Sequence, residues 1–275
     1  MIQESTLYVV ATPIGNLRDI SLRALDVLKA VDVIAAEDTR NSRKLLVHYS
    51  ITKKMIALHQ HNERVASKKI LSLLEAGKSV AYITDVGTPG ISDPGAILVN
   101  LAREKYCVVP VPGANAALCA LSAAGISTAH FLFYGFLPAS KGTRRRKLEE
   151  IKSSPYVLVF YEAPHRILDC IEDLTEVLGA DREITIGREL TKLFETIHTC
   201  ALGDALVWLN ADTNQQRGEF VLIVSGAEVP DKSRISKQAE HTLKLLLKEL
   251  PLKQAVKLTS DITNENKNQL YKMAL

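Results

Sequence analysis

Three loops of this chain mix glycine, proline and alanine with a few polar residues: ATPIGNLRDIS (11–21), ITDVGTPGISDPGA (83–96) and PVPGANAA (110–117). Small residues let a backbone come close to a ligand, and Asp85 and Asp93 in the middle loop can accept hydrogen bonds from ribose hydroxyls or amino groups. Taken singly, each loop is a tight turn. Set at the carboxyl ends of neighbouring strands, the three outline a nucleoside pocket. Neither a G-x-G-x-x-G after the first strand nor a G-x-x-x-x-G-K-[ST] occurs, which excludes the dinucleotide fingerprint and the P-loop.

Other clusters leave more than one reading open. Glu37, Asp38 and Arg40 in AAEDTR (35–40) suit a solvated ion-pair face or an active site. Glu189 and Lys192 in RELTK (188–192) suit a buried pair or a catalytic one. His165 in FYEAPHR (160–166) suits a cap or a contact to RNA phosphate. His59 and His61 offer two imidazoles, but no third ligand stands nearby, so a structural or substrate-contact role is favoured over a metal. KGTRRRK (141–147) carries five positive charges and no negative one, a solvated helix start or a phosphate contact. The four cysteines, Cys107, Cys119, Cys170 and Cys200, form no C-x-x-C and sit in or beside apolar runs, so no disulfide framework or zinc site is implied.

The elements that position these residues follow from hydrophobic periodicity. Strands are predicted at 7–12, 32–38, 55–60, 79–85 and 107–113, with helices at 22–31, 43–49, 63–76 and 96–105 between them, the pattern of a parallel α/β sheet. Gly77 is placed to cap the third helix. This first domain closes near residue 113. A second, over 114–228, opens with a small-residue helix at 114–124 and has strands at 131–137, 156–163, 183–190, 194–202 and 219–226. Its helices lie at 144–151, 166–178 and 205–209, and strands outnumbering helices suggest a mixed sheet with antiparallel pairs. A polar linker (227–236) and a small helical tail (233–275), divided at Pro251 and around 262–266, complete the chain.

Composition narrows the function. Of 275 residues, 47% are hydrophobic and 24% charged, which excludes global disorder. Lys and Arg number 34 against 31 Asp and Glu, a net charge of +3 that is too slight for a protein wrapped in nucleic acid. Nine cations and six acids fall in 228–275, so the excess sits in the tail. No apolar run approaches the ~18 residues of a membrane helix and no targeting segment precedes the first strand, so a cytoplasmic, membrane-free protein is expected.

TPIGNLRDIS, AAEDTR, TDVGTPGISDPG (84–95), FYEAPHR and RELTKLFET (188–196), in this order, resemble the tetrapyrrole-methylase-like fold. Within it they are most similar to the bacterial small-subunit ribosomal RNA methyltransferase I group, which methylates a cytidine ribose 2′-hydroxyl in 16S rRNA. The likeness extends from Leu7 to Leu275, through the ending LPLKQAV…NQLYKMAL. It implies an enzyme that binds S-adenosylmethionine, without a metal, in a cleft between its two α/β domains, usually as a homodimer. Carried over residue by residue, it places Ile14, Asp85, Gly87, Thr88 and Ile91 on the cofactor from the first domain. From the second come Asn115 and Ala116, with Tyr161 or Glu162, and Leu190 or Thr191, closing the other side.

Methyl transfer from a sulfonium needs positioning above all, and a base within ~3 Å of the hydroxyl. Glu37, Glu162, Glu189, His165 and, if neutral, Lys192 are the candidates, with RELTK and FYEAPHR preferred. Arg40, Arg144, Arg145, Arg146 and Lys147 are expected to contact 16S rRNA, free or in the 30S subunit, with no role for duplex DNA. Two other functions compete: methylation of a small tetrapyrrole, and a ligand-sensing regulator whose tail is a helix-turn-helix.

Overall fold

The computed structural model describes residues 2–127, 130–228, 235 and 237–275. The linker expected over 227–236 lies largely outside them. The chain divides into two compact units, Met1–Ala227, which holds both sheets, and Glu228–Leu275.

The first sheet comprises β1 (Thr6–Val10), β2 (Val33–Ala36), β3 (Lys54–Ala57), β4 (Val80–Ile83) and β5 (Cys107–Val111). All pairs are parallel, in the order β3-β2-β4-β1-β5. Helices α1 (Leu22–Ala30), α2 (Thr39–His48), α3 (Glu63–Glu75) and α4 (Ala96–Ala102) make the crossovers. Alternation along the strands divides the core. Val10, Ile34 and Ile83 pack with Val27, Leu28, Leu45 and Leu46 of α1 and α2, whereas Leu7, Ala35 and Val80 pack with Ile70, Leu74 and Leu98 of α3 and α4. A sheet covered on both faces needs strands apolar throughout, and VIAA and VAYI are buried at every position. Each fully buried Leu or Ile contributes about 1.5–3 kcal/mol over an exposed one. Helix α2 starts four residues earlier than its periodicity predicts because the Asp38 side chain accepts from the Arg40 N–H and caps it.

After α5 (Ala116–Ala123), the second sheet is built from β6 (Phe131–Phe136), β7 (Val157–Glu162), β8 (Glu183–Arg188), β9 (Thr196–Ala201) and β10 (Phe220–Val224). Its order is β6-β7-β10-β8-β9, with only β6 and β7 parallel. One face, with Leu158, Phe160, Ile186 and Leu222, is covered by α6 (Lys141–Ile151), α7 (Ile167–Leu178) and α8 (Leu202–Ala211). The other face, with Val159, Val221 and Ile223, receives Ala117 and Ala120 of α5 together with Ile14 and Leu190. Leu190 and Ile14 thus bring a loop from each sheet into one cluster.

The smaller unit has α9 (Lys237–Leu246), α10 (Leu252–Thr263) and α11 (Lys267–Ala274) around Ala239, Leu243, Ala255, Val256 and Leu270. Asn264 in the left-handed region, at φ 58°, ends α10. No helix of the described residues is long and apolar enough to cross a membrane.

Candidate active site

The loops at the carboxyl ends of the first sheet are stitched to one another. Thr12 and Gly87 exchange backbone hydrogen bonds of 2.9 and 3.2 Å, and the Thr12 hydroxyl donates to the Thr84 carbonyl. Gly87 has φ 78°, a conformation that a side chain would strain. Thr88 donates its hydroxyl to the Ala114 carbonyl at 3.1 Å, joining the middle loop to the start of the second lobe. Asn115 then caps α5, accepting from the Leu118 N–H. Asp85 is held by neutral donors, the Asp38 N–H and the Asn41 amide, so it braces the loop after β2.

Carboxylates gather at this end of the sheet. Glu37 accepts from the Asp85 N–H, and burial, with the Asp85 charge beside it, pushes its carboxyl above the ordinary value. Asp93 is pushed up to about 7, first by burial and then by the charges of Glu37 and Asp85. The segment carrying it is rigidly placed. Tyr82 donates its hydroxyl to the Pro94 carbonyl at 2.6 Å, and the Gly95 N–H donates to Glu63 at 2.9 Å. A Cβ on Gly95 would stand 2.3 Å from the Tyr82 ring, and one on Gly135 of β6 would stand 2.7 Å from the Ser92 hydroxyl.

In the second lobe the Tyr161 hydroxyl accepts from the Ala117 N–H at 3.2 Å, fixing the ring against the N-terminal turn of α5. Glu162 is buried; its Oε1 accepts from the Ala163 N–H and lies 3.2 Å from Arg166 Nε in an ion pair without hydrogen-bond alignment. Oε2 has no partner. In RELTK, Lys192 lies 2.8 Å from Glu189 and 2.9 Å from Glu219, and Glu189 also accepts from the Glu219 N–H. Burial opposes both charges, but these bonds hold the Glu189 carboxyl below and the Lys192 ammonium above their ordinary values. Glu189 and Thr191 adopt left-handed backbone at φ 51° and 66°, which turns Leu190 inward. Thr191 Oγ1 accepts from the Asn16 N–H, and a Cβ on Gly15 would stand 2.5 Å from Lys192 Cγ.

Between the lobes lies a cleft of about 460 Å³. From the first lobe it is lined by Ile14, Gly87, Thr88 and Ile91, and from the second by Asn115, Ala116, Tyr161, Glu162, His165 and Leu190, all singled out from sequence. Asp85, Thr191, Glu37, Glu189 and Lys192 are not on the wall; they brace the loops that are. Val86, Ser92, Asp93, Phe136, Ala163, Pro164, Glu219, Phe220 and Val221 complete it. From the sequence Asp93 reads as a loop acceptor only. Phe136 and Phe220 carried no signal, because the end of one strand and the start of another meet only once the sheet order is known. Among the described residues no group of three or more His, Cys, Asp or Glu side chains is placed to hold a metal ion.

The basic run needs correction. Arg144 is 2% exposed and bonded to the fully buried Asp173 at 2.6 Å, so it cannot reach a phosphate. Arg145 is engaged by Asp173 and Glu176, and Lys147 by Glu150. The charge pattern was right but the helix turns two of its cations inward onto α7. Arg146 is exposed and makes no ion pair among the described residues. Arg40 is exposed and paired with Asp38.

Comparison with known proteins bears on both units. The family profile of Tetrapyrrole (Corrin/Porphyrin) Methylases matches residues 6–206, and that of the RsmI C-terminal HTH domain matches residues 234–275. Proteins named ribosomal RNA small subunit methyltransferase I are similar over nearly their whole length. That of Escherichia coli O157:H7 is 48% identical, covering 99% of this chain and 95% of its own, and that of Pseudomonas aeruginosa is 49% identical, covering 98% and 96%. Among solved structures, uroporphyrin-III C-methyl transferase from Thermus thermophilus complexed with S-adenyl homocysteine superposes with a TM-score of 0.58 at 16% identity, covering 80% of this chain and 97% of its own. At that identity the likeness is one of fold.

Proposed function

The chain belongs to the tetrapyrrole methylase family, and within it to the ribosomal RNA small subunit methyltransferase I group, and from that premise we propose that it transfers a methyl group from S-adenosylmethionine to the 2′-hydroxyl of a cytidine ribose in 16S rRNA. The observation that carries the reading is the cleft, where the Gly87–Thr88 turn and Ile14 face Ala116, Tyr161 and Leu190 across a largely apolar space of the size small cofactors occupy.

The residues present fit the cofactor. Gly87 and Ala116 keep the walls low enough for an adenosine to lie against backbone. S-adenosylmethionine supplies, when bound, an electrophilic methyl carbon. The protein's part is to hold the acceptor oxygen in line with it and to keep water away. Leu190 and Ile14 close the floor. Phe136, 51% exposed and edge-on to Tyr161, offers a ring at the mouth on which a splayed-out base can stack. Arg146 and the cationic tail are read as the sequence-independent phosphate contacts.

The test is incubation with methyl-labelled cofactor and either 16S rRNA or 30S particles, followed by mapping of the labelled nucleotide. Label on a cytidine 2′-oxygen is the expected result. Label absent from RNA, or passing to a tetrapyrrole instead, overturns the reading.

A further inference from the structure

A basic surface has to survive folding as well as appear in the sequence. On α6 it largely does not, since Arg144 and Arg145 are taken by α7 and Lys147 by Glu150. A second stretch fares differently. From Thr39 to Asn62, 24 residues hold five Lys or Arg and three His, with no Asp or Glu. They form α2, the turn after it, β3 and the start of the next loop, and β3, paired only with β2, is an edge strand of the first sheet. Among the described residues Arg40 alone of these cations is ion-paired, to Asp38, and Lys53 is spent on the Val31 carbonyl at 2.7 Å. Arg43, Lys44 and Lys54 are exposed and form no ion pair among the described residues.

The helix aligns its share of these charges. Packing buries Ser42, Leu45 and Leu46, so Arg40, Arg43, Lys44 and His48 face outward at spacings of three and four residues, a row ~12 Å long. The row begins beside the cleft. In the first turn of α2 and its cap, the Asn41 amide and the Asp38 N–H both donate to the Asp85 carboxylate, at 2.9 and 3.2 Å, and Val86 and Gly87, the next residues along, are cleft wall. The chain returns along β3 to the same end of the sheet, where the loop 59–62 closes on itself: the His59 N–H donates to Asn62 Oδ1 at 2.8 Å and the Asn62 amide to the Ala57 carbonyl at 3.1 Å. No acid from this loop opposes the row.

We propose that the outer face of α2 is the track for the RNA strand leaving the cleft, with Arg43 and Lys44 on phosphates next to the target nucleotide. The inference rests on the reading above for the nature of the polyanion. It adds two cations that were not among the expected RNA contacts, and their position gives the strand a direction, out of the cleft past Asp85 and along the first lobe. Phosphate contacts of this kind fix the register of a strand and leave the choice of base to the cleft.

The test is filter binding of labelled 16S rRNA over a series of salt concentrations. Arg43→Ala with Lys44→Ala is expected to raise the RNA Kd ~10-fold at physiological salt and to lower the salt slope by ~1.4, two single-strand contacts. The S-adenosylhomocysteine Kd should be unchanged, and in the methylation assay KM for RNA should rise while kcat at saturating RNA holds. Exchanging the two as Arg43→Lys with Lys44→Arg keeps both charges and should restore the parent's slope. Lys68→Ala with Lys69→Ala removes the same charge from exposed positions of α3, which packs on the other face of the sheet, and should change the RNA Kd less than threefold. An unchanged slope in the Arg43 and Lys44 variant, or an equal loss in the α3 variant, overturns the track. If the parent binds rRNA but leaves it unmethylated, it is the proposed function that fails, while the salt slopes still decide where the strand lies.

Discussion

Around the cleft the two lobes partner their carboxylates differently. In the second lobe Asp173 has Arg144 and Arg145, Glu162 has Arg166, and Glu189 and Glu219 share Lys192. At the carboxyl ends of the first sheet, Glu37, Asp85 and Asp93 are partnered by backbone N–H groups, an amide and a hydroxyl, and burial together with the Asp85 charge raises the proton affinity of Glu37 and Asp93. A compensated carboxylate holds structure together; an uncompensated one beside a cleft is open to the donors of a ligand. Both lobes line the same cavity, so the difference assigns them different work.

The largest expected effect comes from breaking compensation. Arg144→Ala leaves the buried Asp173 with Arg145 alone in the core between α6 and α7 and is expected to cost about 3 kcal/mol, the lower end for a broken buried pair, read as a lower urea midpoint. Adding Asp173→Asn should recover part of that loss. A variant with the parent's midpoint would mean that the pair does nothing for the fold. Next, Thr88→Tyr fills the cleft from the less compensated side. S-adenosylhomocysteine affinity should fall ~100-fold or more, about 2.7 kcal/mol, with the urea midpoint little changed. Unchanged affinity would remove this loop from the site.

A smaller effect tests the sign of the comparison. Asp93 has a folded value of about 7 against an ordinary 3.8, so the native state holds a proton that the unfolded chain has released, and stability falls as pH rises between those values. Asp93→Asn removes that penalty. It should leave the melting temperature unchanged near pH 4 and raise it at pH 8, by about 2–4 °C if solvent screening leaves about 1 kcal/mol. A lower melting temperature at pH 8 would show that the carboxylate is compensated after all. Smallest of all, Arg146→Ala should reduce the salt slope of RNA binding by ~0.7, one phosphate contact, without touching cofactor affinity.

Much of this was legible in the sequence. Strand and helix order followed from periodicity, because a sheet covered on both faces must read as short apolar runs between amphipathic helices. The loops after β1, β4 and β5 identified themselves by composition. What did not read out was orientation. KGTRRRK is a basic run whichever way its helix rolls, and only the buried Asp173 on α7 shows that Arg144 faces inward. Glu219, Phe220 and Val221 lie on the cleft because β10 sits between β7 and β8, an order set by long-range pairing. Asp38, read as part of an ion-pair face, is that and a helix cap as well.

The interlock of Gly15 and Asn16 with the Leu190–Lys192 turn has a thermodynamic consequence. Because the cavity needs loops from both sheets, neither sheet alone can bind what the cavity binds, and occupancy is linked to the docking of the two. A ligand at 100 times its Kd would therefore add about 2.7 kcal/mol to the stability of the docked arrangement. A single methyl at Gly15, forced against Lys192, would act as a shim between the lobes and weaken that linkage before it weakened either sheet.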